Sequence, residues 1–149
     1  MNDLRMLYKG GLAALFVGLC CMLLVACGGS PSSSANGTAS SSFHTALKTT
    51  DGKYSIQFSV TPNHAGINIF DVSVMDSGNG TVVTNVSVRL STTMLDMAMG
   101  TSQVNLVPDG NGHFSAQGDL SMAGNWEIRI QLQTPDKVLH EASVHFVSA

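Results

Sequence analysis

The stretch "NWEIRIQLQ", residues 125–133, decides the fold. Trp126, Ile128, Ile130 and Leu132 alternate with Glu127, Arg129, Gln131 and Gln133. Side chains of an extended strand point alternately to opposite faces, so this pattern is a strand with one apolar and one polar face. The same period of two spreads outward in both directions. "YSIQFSV" aligns Tyr54, Ile56, Phe58 and Val60, and "NIFDVSVMD" aligns Phe70, Val72 and Val74. "NVSVRL" sets out Val86, Val88 and Leu90, "QVNLV" Val104 and Leu106, and "HFSAQGDL" Phe114 and Ala116. "HEASVHFVS" completes the set with Ala142, Val144 and Phe146.

Seven strands are therefore expected between about Tyr54 and the C-terminus. Turn residues separate most of them: "SGNG" at 77–80, "PDGNG" at 108–112, "MAGN" at 122–125 and "TPDK" at 134–137. Asn-Gly and Asp-Gly favour tight hairpin turns. No segment offers a helix with a consistent apolar stripe. Strands with one apolar face need a second sheet to cover it. Seven of them in about 100 residues predict an all-β, antiparallel, immunoglobulin-like β-sandwich. The cysteine pair of antibody domains is absent, and Trp126 is the expected core plug.

The N-terminal segment reads differently. "MNDLRMLYKG" carries Arg5 and Lys9, and "GLAALFVGLCCMLLVA" follows from Gly11 to Ala26 without a charge. A short basic region before an apolar core is the pattern of a secretory signal. Its end, "LVAC" at residues 24–27, resembles the bacterial lipobox, in which the cysteine becomes the lipidated N-terminus. Cys27 is the expected lipidation site, and a multi-chain anchor holds a membrane far better than a single acyl chain. "GGSPSSSANGTASSS", residues 28–42, has too few apolar side chains to form a core and reads as a tether. The expected organisation is a signal segment over 1–26, lipidated Cys27 with its tether over 27–45, and the sandwich over 46–149. That places the domain in the cell envelope, outside the cytoplasm.

The composition excludes several functions. Residues from Cys27 onward hold five Lys/Arg against nine Asp/Glu, a net charge of −4, so no basic patch supports nucleic-acid binding. Cys20, Cys21 and Cys27 all precede the domain, which leaves it no disulfide, thiolate ligand or cysteine nucleophile. Hydrolase elbows, zinc-protease helices, phosphate-binding loops and paired carboxylates are missing too. No enzymatic activity is expected.

Three segments together resemble the YtkA-like domain: "HAGINIFDVSVMD", "VVTNVSVRLSTTMLDMAMG" and "GHFSAQGDLSMAGNWEIRIQL". The carrying positions are Gly66, Asn68, Asp76, Met94, Met97, Met99, Phe114, Met122, Gly124 and Trp126, and the likeness spans about residues 50–147. The resemblance implies an exported immunoglobulin-like sandwich similar to that of the CopC copper-resistance proteins. It also implies a role near copper handling or respiratory-oxidase assembly, with a protein of either kind as partner. An N-terminal copper(II) site of the CopC kind is not expected, because Cys27 holds that place.

"TTMLDMAMG", residues 92–100, places Met94, Met97 and Met99 within six positions. Copper(I) is soft and prefers sulfur ligands. Thiols outside the cytoplasm tend to oxidise, whereas thioethers form no disulfides. Met94, Met97 and Met99 are read as one loop and Met122 as part of another, with His64 and His113 as possible nitrogen ligands. Gap-filling packing is the first reading of these methionines. A copper(I) site is the second, and a surface for a protein partner the third. The expected function is a membrane-anchored binding module that holds or passes copper(I). The alternative is a metal-free interaction module docking on a membrane complex.

Overall fold

The computed structural model describes residues 41–149. The signal-like segment, Cys27 and the tether up to residue 40 lie outside the described residues. Nine strands are found among those described: β1 (Phe43–Lys48), β2 (Tyr54–Thr61), β3 (Gly66–Asp76), β4 (Ser87–Met94), β5 (Thr101–Asn105), β6 (Val107–Gly110), β7 (His113–Leu120), β8 (Gly124–Gln133) and β9 (Leu139–Ser148). One sheet has the order β1-β2-β3-β7-β6 and the other β5-β4-β8-β9. Every strand pair is antiparallel. The protein is an all-β sandwich, as its alternation demands.

The core comes from the inner faces of both sheets. Ile56, Phe58 and Val60 of β2 and Phe70, Val72 and Val74 of β3 meet Val88 and Leu90 of β4 and Ile128, Ile130 and Leu132 of β8. Each side chain of this size adds roughly 1.5–3 kcal/mol when fully buried. Register keeps the core aligned: Leu90 lies opposite Ile130, which lies opposite Ala142. A slip of one residue would turn every one of these side chains outward.

The fold holds two strands beyond the expected seven. Phe43, Thr45 and Leu47 turn toward the core while His44, Ala46 and Lys48 face solvent. The domain therefore begins at Phe43, and residues 43–45 belong to a strand instead of the tether. The second addition is β6, a four-residue edge strand that overlaps the stretch read as a turn. It exists because Leu106, buried and held by its N–H to the Val88 carbonyl at 2.9 Å, carries the chain from one sheet to the other. The turn itself tightens onto Gly110, Asn111 and Gly112, all at positive φ.

The first hairpin is clamped to β9. His140 is only 4% exposed, and its Nδ1 lies 2.6 Å from Asp51 Oδ2. The Thr49 hydroxyl donates to Asp51 Oδ1 at 2.7 Å, and Tyr54 meets the His140 ring edge-on at 4.8 Å. Thr50 N–H donates to the Glu141 carbonyl at 2.7 Å. The hydrogen bond from Thr49 and the interactions with His140 hold the Asp51 carboxyl at a pKa of about 2, below the usual carboxylate range. A carboxylate with a depressed folded pKa stabilises the fold above its unfolded pKa and loses that contribution as pH falls toward the folded value. Acid unfolding followed by circular dichroism should therefore steepen between about pH 4 and pH 2. Asp51→Asn should flatten that segment of the curve while lowering stability at neutral pH.

Candidate functional site

Four loop or strand termini meet at one end of the sandwich. They are the β2–β3 loop with His64, the β4–β5 loop with Met97 and Met99, the β7–β8 connection with Met122, and the end of β9. The hydrogen bonds that gather them are specific. Asn63 Nδ2 donates to the Val147 carbonyl at 3.0 Å, and Ala65 N–H donates to the Ala149 carbonyl at 2.8 Å. Leu95 N–H donates to the Asn125 carbonyl at 2.8 Å. The Trp126 indole Nε1–H donates to the Met122 carbonyl at 3.1 Å.

Met94 is not a loop residue. It is the last residue of β4, 5% exposed, and continues the inward series Val88, Leu90, Thr92. Its neighbour across the sheet is Trp126, whose other neighbour is Phe146. Phe43 stacks on Phe146 with ring centroids 5.0 Å apart. Met94 is thus part of the apolar layer that closes the core. Met122 is half-buried and packs against the same core. Met97 and Met99 differ: they are 50% and 49% exposed, and Met99 N–H donates to the Met97 carbonyl at 2.9 Å. That bond makes a three-residue turn, which presents the two thioether side chains from one tight corner.

Asp96 fixes where this loop leaves the sheet. Its carboxylate accepts from Asn125 N–H at 2.7 Å and from the Asn125 side-chain amide at 2.9 and 3.1 Å. The backbone hydrogen bond first, then the amide, holds the Asp96 carboxyl below its usual value. Asp96 therefore ties two loops together and is committed to Asn125. Gly124 makes this possible. Its φ is +144°, and a Cβ there would stand 2.7 Å from Asp96 Oδ2 and 2.8 Å from Met94 Cε.

The histidines separate. His64 is exposed and its Nδ1 lies 2.6 Å from the Ala65 carbonyl. A carbonyl only accepts, so Nδ1 donates and the neutral ring keeps its lone pair on Nε2, the form that ligates metals. The β2–β3 loop carrying His64 is tied to β9, while Met97 and Met99 hang from β4 and β5. In the order β5-β4-β8-β9 that is up to three strand spacings, about 14 Å. His64 shares an end with the methionines but stands on its other side. His113 does not join them at all. It opens β7 opposite Ser73, whereas the far end of β7, Leu120, lies opposite Gly66. Seven residues of strand separate the two ends, about 23 Å. His113 pairs loosely with Asp109 at 3.6 Å and lines the outer face of the five-stranded sheet with His44 and Asp71. Among the described residues, no cluster of three or more His, Cys, Asp or Glu side chains could hold a metal ion. A metal at this end would depend on methionine.

A family model described as YtkA-like matches residues 48–131, more than half of the chain. The chain belongs to the YtkA-like family. Comparison with curated proteins found no match. Solved structures of FetP from uropathogenic Escherichia coli share the fold. A copper-bound variant of FetP is 7% identical with a TM-score of 0.57, covering 72% of this chain and 97% of its own. FetP "as isolated", expressed in the periplasm, is 9% identical with a TM-score of 0.57, covering 72% and 96%. At such identities the likeness is one of fold. Gly124 and Trp126 both fall within the matched residues, and the structure gives each a physical role: the glycine admits Asp96, and the indole closes the core while pinning Met122.

Gly124→Ala should drive the new methyl group into Asp96 and Met94 and force a strained φ. A loss of about 1–3 kcal/mol is expected from such overpacking, read as a lower thermal midpoint. An unchanged midpoint would show that the two loops are not held at this contact.

Proposed function

We propose that this YtkA-like protein is a non-catalytic, membrane-anchored lipoprotein that binds or passes copper(I) outside the cytoplasm through methionine thioethers. The observation that carries this reading is the pair Met97 and Met99, exposed in one turn of a cysteine-free domain. Both side chains stay about half exposed, whereas Met94, the strand residue three positions before Met97, is buried. Met122, pinned through its carbonyl to Trp126, lies one strand over and offers a third sulfur.

The donor chemistry suits a soft monovalent ion. Thioethers carry no charge and do not titrate, so they neither attract hard divalent cations nor lose affinity in mild acid. Asp96, the nearest carboxylate, is occupied by Asn125. Met97 and Met99 would hold copper(I), with Met122 completing the set, and Met94 would act only as packing. Copper bound to a variant of FetP, on the same fold, and the recombinant expression of FetP in the periplasm support the reading. Cys27 supplies the anchor under this proposal, and a copper-handling or oxidase-assembly protein at the membrane is the partner. A metal-free docking module is the other reading. It is favoured by Leu95, exposed beside Val147 in a concavity of about 410 Å³.

Titration of the purified chain with copper(I) against a competing chelator separates the two. A dissociation constant of about micromolar or tighter is expected. The double replacement Met97→Leu with Met99→Leu should weaken it about a hundredfold or more, whereas Met94→Leu should leave it unchanged. His64→Ala and His113→Ala should have little effect. Binding weaker than micromolar, or equal in wild type and double variant, would overturn the copper reading in favour of the docking module.

A further inference from the structure

We infer that a concavity on the four-stranded sheet, at the end away from the methionines, binds a small carboxylate that carries an amide, such as an N-acylated amino acid, with Arg89 receiving the carboxylate. The inference is independent of copper and of membrane anchoring.

The first observation is the cavity and its place. A concavity of about 560 Å³ opens where β4 and β9 begin and β5 and β8 end. Arg89, Asn105, Gln131, Gln133 and Leu139 are among its lining residues. Its volume lies in the range of small-molecule sites, roughly 300–1,000 Å³. Met94 closes β4 and Gly124 opens β8, so the methionines stand at the other end of the same strands.

The second observation is an arginine without a carboxylate. Arg89 lies opposite Asn105 on β5 and Gln131 on β8. Its Nε–H donates to Asn105 Oδ1 at 3.0 Å, which restrains the guanidinium plane. Among the described residues no carboxylate forms an ion pair with it. The two Nη groups of a guanidinium form a fork that matches the two oxygens of a carboxylate. Glu141 lies in the same cross-sheet row, opposite Gln131. It is two strand spacings from Arg89, about 10 Å. Its Oε1 accepts from Gln131 Nε2 at 2.7 Å. Gln131 thus occupies Glu141 and leaves the Arg89 fork to a ligand. The Glu141 charge also disfavours a second negative charge on that ligand, so a monocarboxylate fits better than a phosphate.

The third observation is the company Arg89 keeps. Asn105 spends its Oδ1 on Arg89, and its Nδ2 has no partner among the described residues. Gln133 follows Gln131 on the same face of β8 and makes no side-chain hydrogen bond among the described residues. A side-chain amide donates and accepts, so it complements an amide of the ligand. Leu139 lies opposite Gln133 and is 50% exposed, which gives the site an apolar wall. A carboxylate beside an amide and an apolar group is the chemistry of an N-acylated amino acid.

The test is heteronuclear NMR of the isotope-labelled full chain in detergent, titrated with N-acetyl-leucine. Saturable shifts are expected at the Arg89 Nε–H and at the Asn105 and Gln133 side-chain amides, with a dissociation constant of about millimolar or tighter. Arg89→Gln should weaken binding at least about tenfold, and Arg89→Lys, which keeps the charge and loses the fork, should weaken it too. The uncharged N-acetyl-leucinamide should bind about tenfold more weakly or worse. Arg129→Gln is the control: Arg129 lies on the same sheet face and lines a separate concavity with Glu127, and its loss should leave the affinity unchanged. Shifts that do not saturate, that are equal for the amide analogue, or that survive Arg89→Gln would overturn the site. Equal weakening by Arg89→Gln and Arg129→Gln would reduce it to general charge attraction, and the inference would fail.

Discussion

The end of this sandwich that bears on function depends on one row of side chains. Met94, Trp126 and Phe146 lie side by side across β4, β8 and β9, and Phe43 stacks over Phe146 from the other sheet. Trp126 is 5% exposed, and its indole N–H is spent on the Met122 carbonyl. An indole N–H buried without a partner would be costly, so the geometry of the β7–β8 connection follows from the need to satisfy it. The row closes the core and fixes Met122. Together with Asp96 and Gly124 it also fixes where the β4–β5 loop leaves the sheet. What projects beyond this row is therefore set by packing and hydrogen bonding up to Asp96, and by the short turn at Met97–Met99 after it.

The alternation that sets the core was readable residue by residue. Ile56, Phe58, Phe70, Val72, Leu90, Phe114, Ile128, Ile130 and Leu132 are all buried, and each stood on an expected apolar face. The missed strands fail that test for physical reasons. β1 alternates only weakly, with polar Thr45 facing inward and apolar Ala46 outward, and it follows a Ser-rich run, so it looks like the end of the tether. β6 has no alternation to see, since all four residues are exposed and its pairing is imposed by Leu106 crossing between sheets. Met94 was misplaced because Ser91, Thr92 and Thr93 look like a loop. Thr92 is nonetheless buried, and the period of two from Val88 reaches Met94 unbroken.

The candidate site was legible in composition and not in space. The sequence marks four methionines and two histidines as candidates, but strand direction decides which can meet. β7 starts at His113, at the far end, and runs toward the methionine end, and β8 lies between the β4–β5 loop and β9, to which the His64 loop is tied. Asp96 reaches across to the start of β8, a contact that no local pattern encodes. Gly124 is the residue whose lack of a Cβ leaves room for this loop carboxylate. The same reasoning applies to His140, whose partner Asp51 is remote in sequence and adjacent in the fold.

Burial also divides the methionines in a way that constrains any chemistry. A sulfur in the core stabilises the fold and is hard to reach, while one at the surface is available and costs exposed apolar area. Met94 takes the first role and Met97 and Met99 the second. The two half-exposed methionines stand near exposed Leu95 and Val147, so apolar side chains remain in water at this end. Metal binding engages the sulfurs but leaves Leu95 and Val147 in water. A metal at this end would use the sulfur lone pairs alone, so it would leave the hydrocarbon around them exposed.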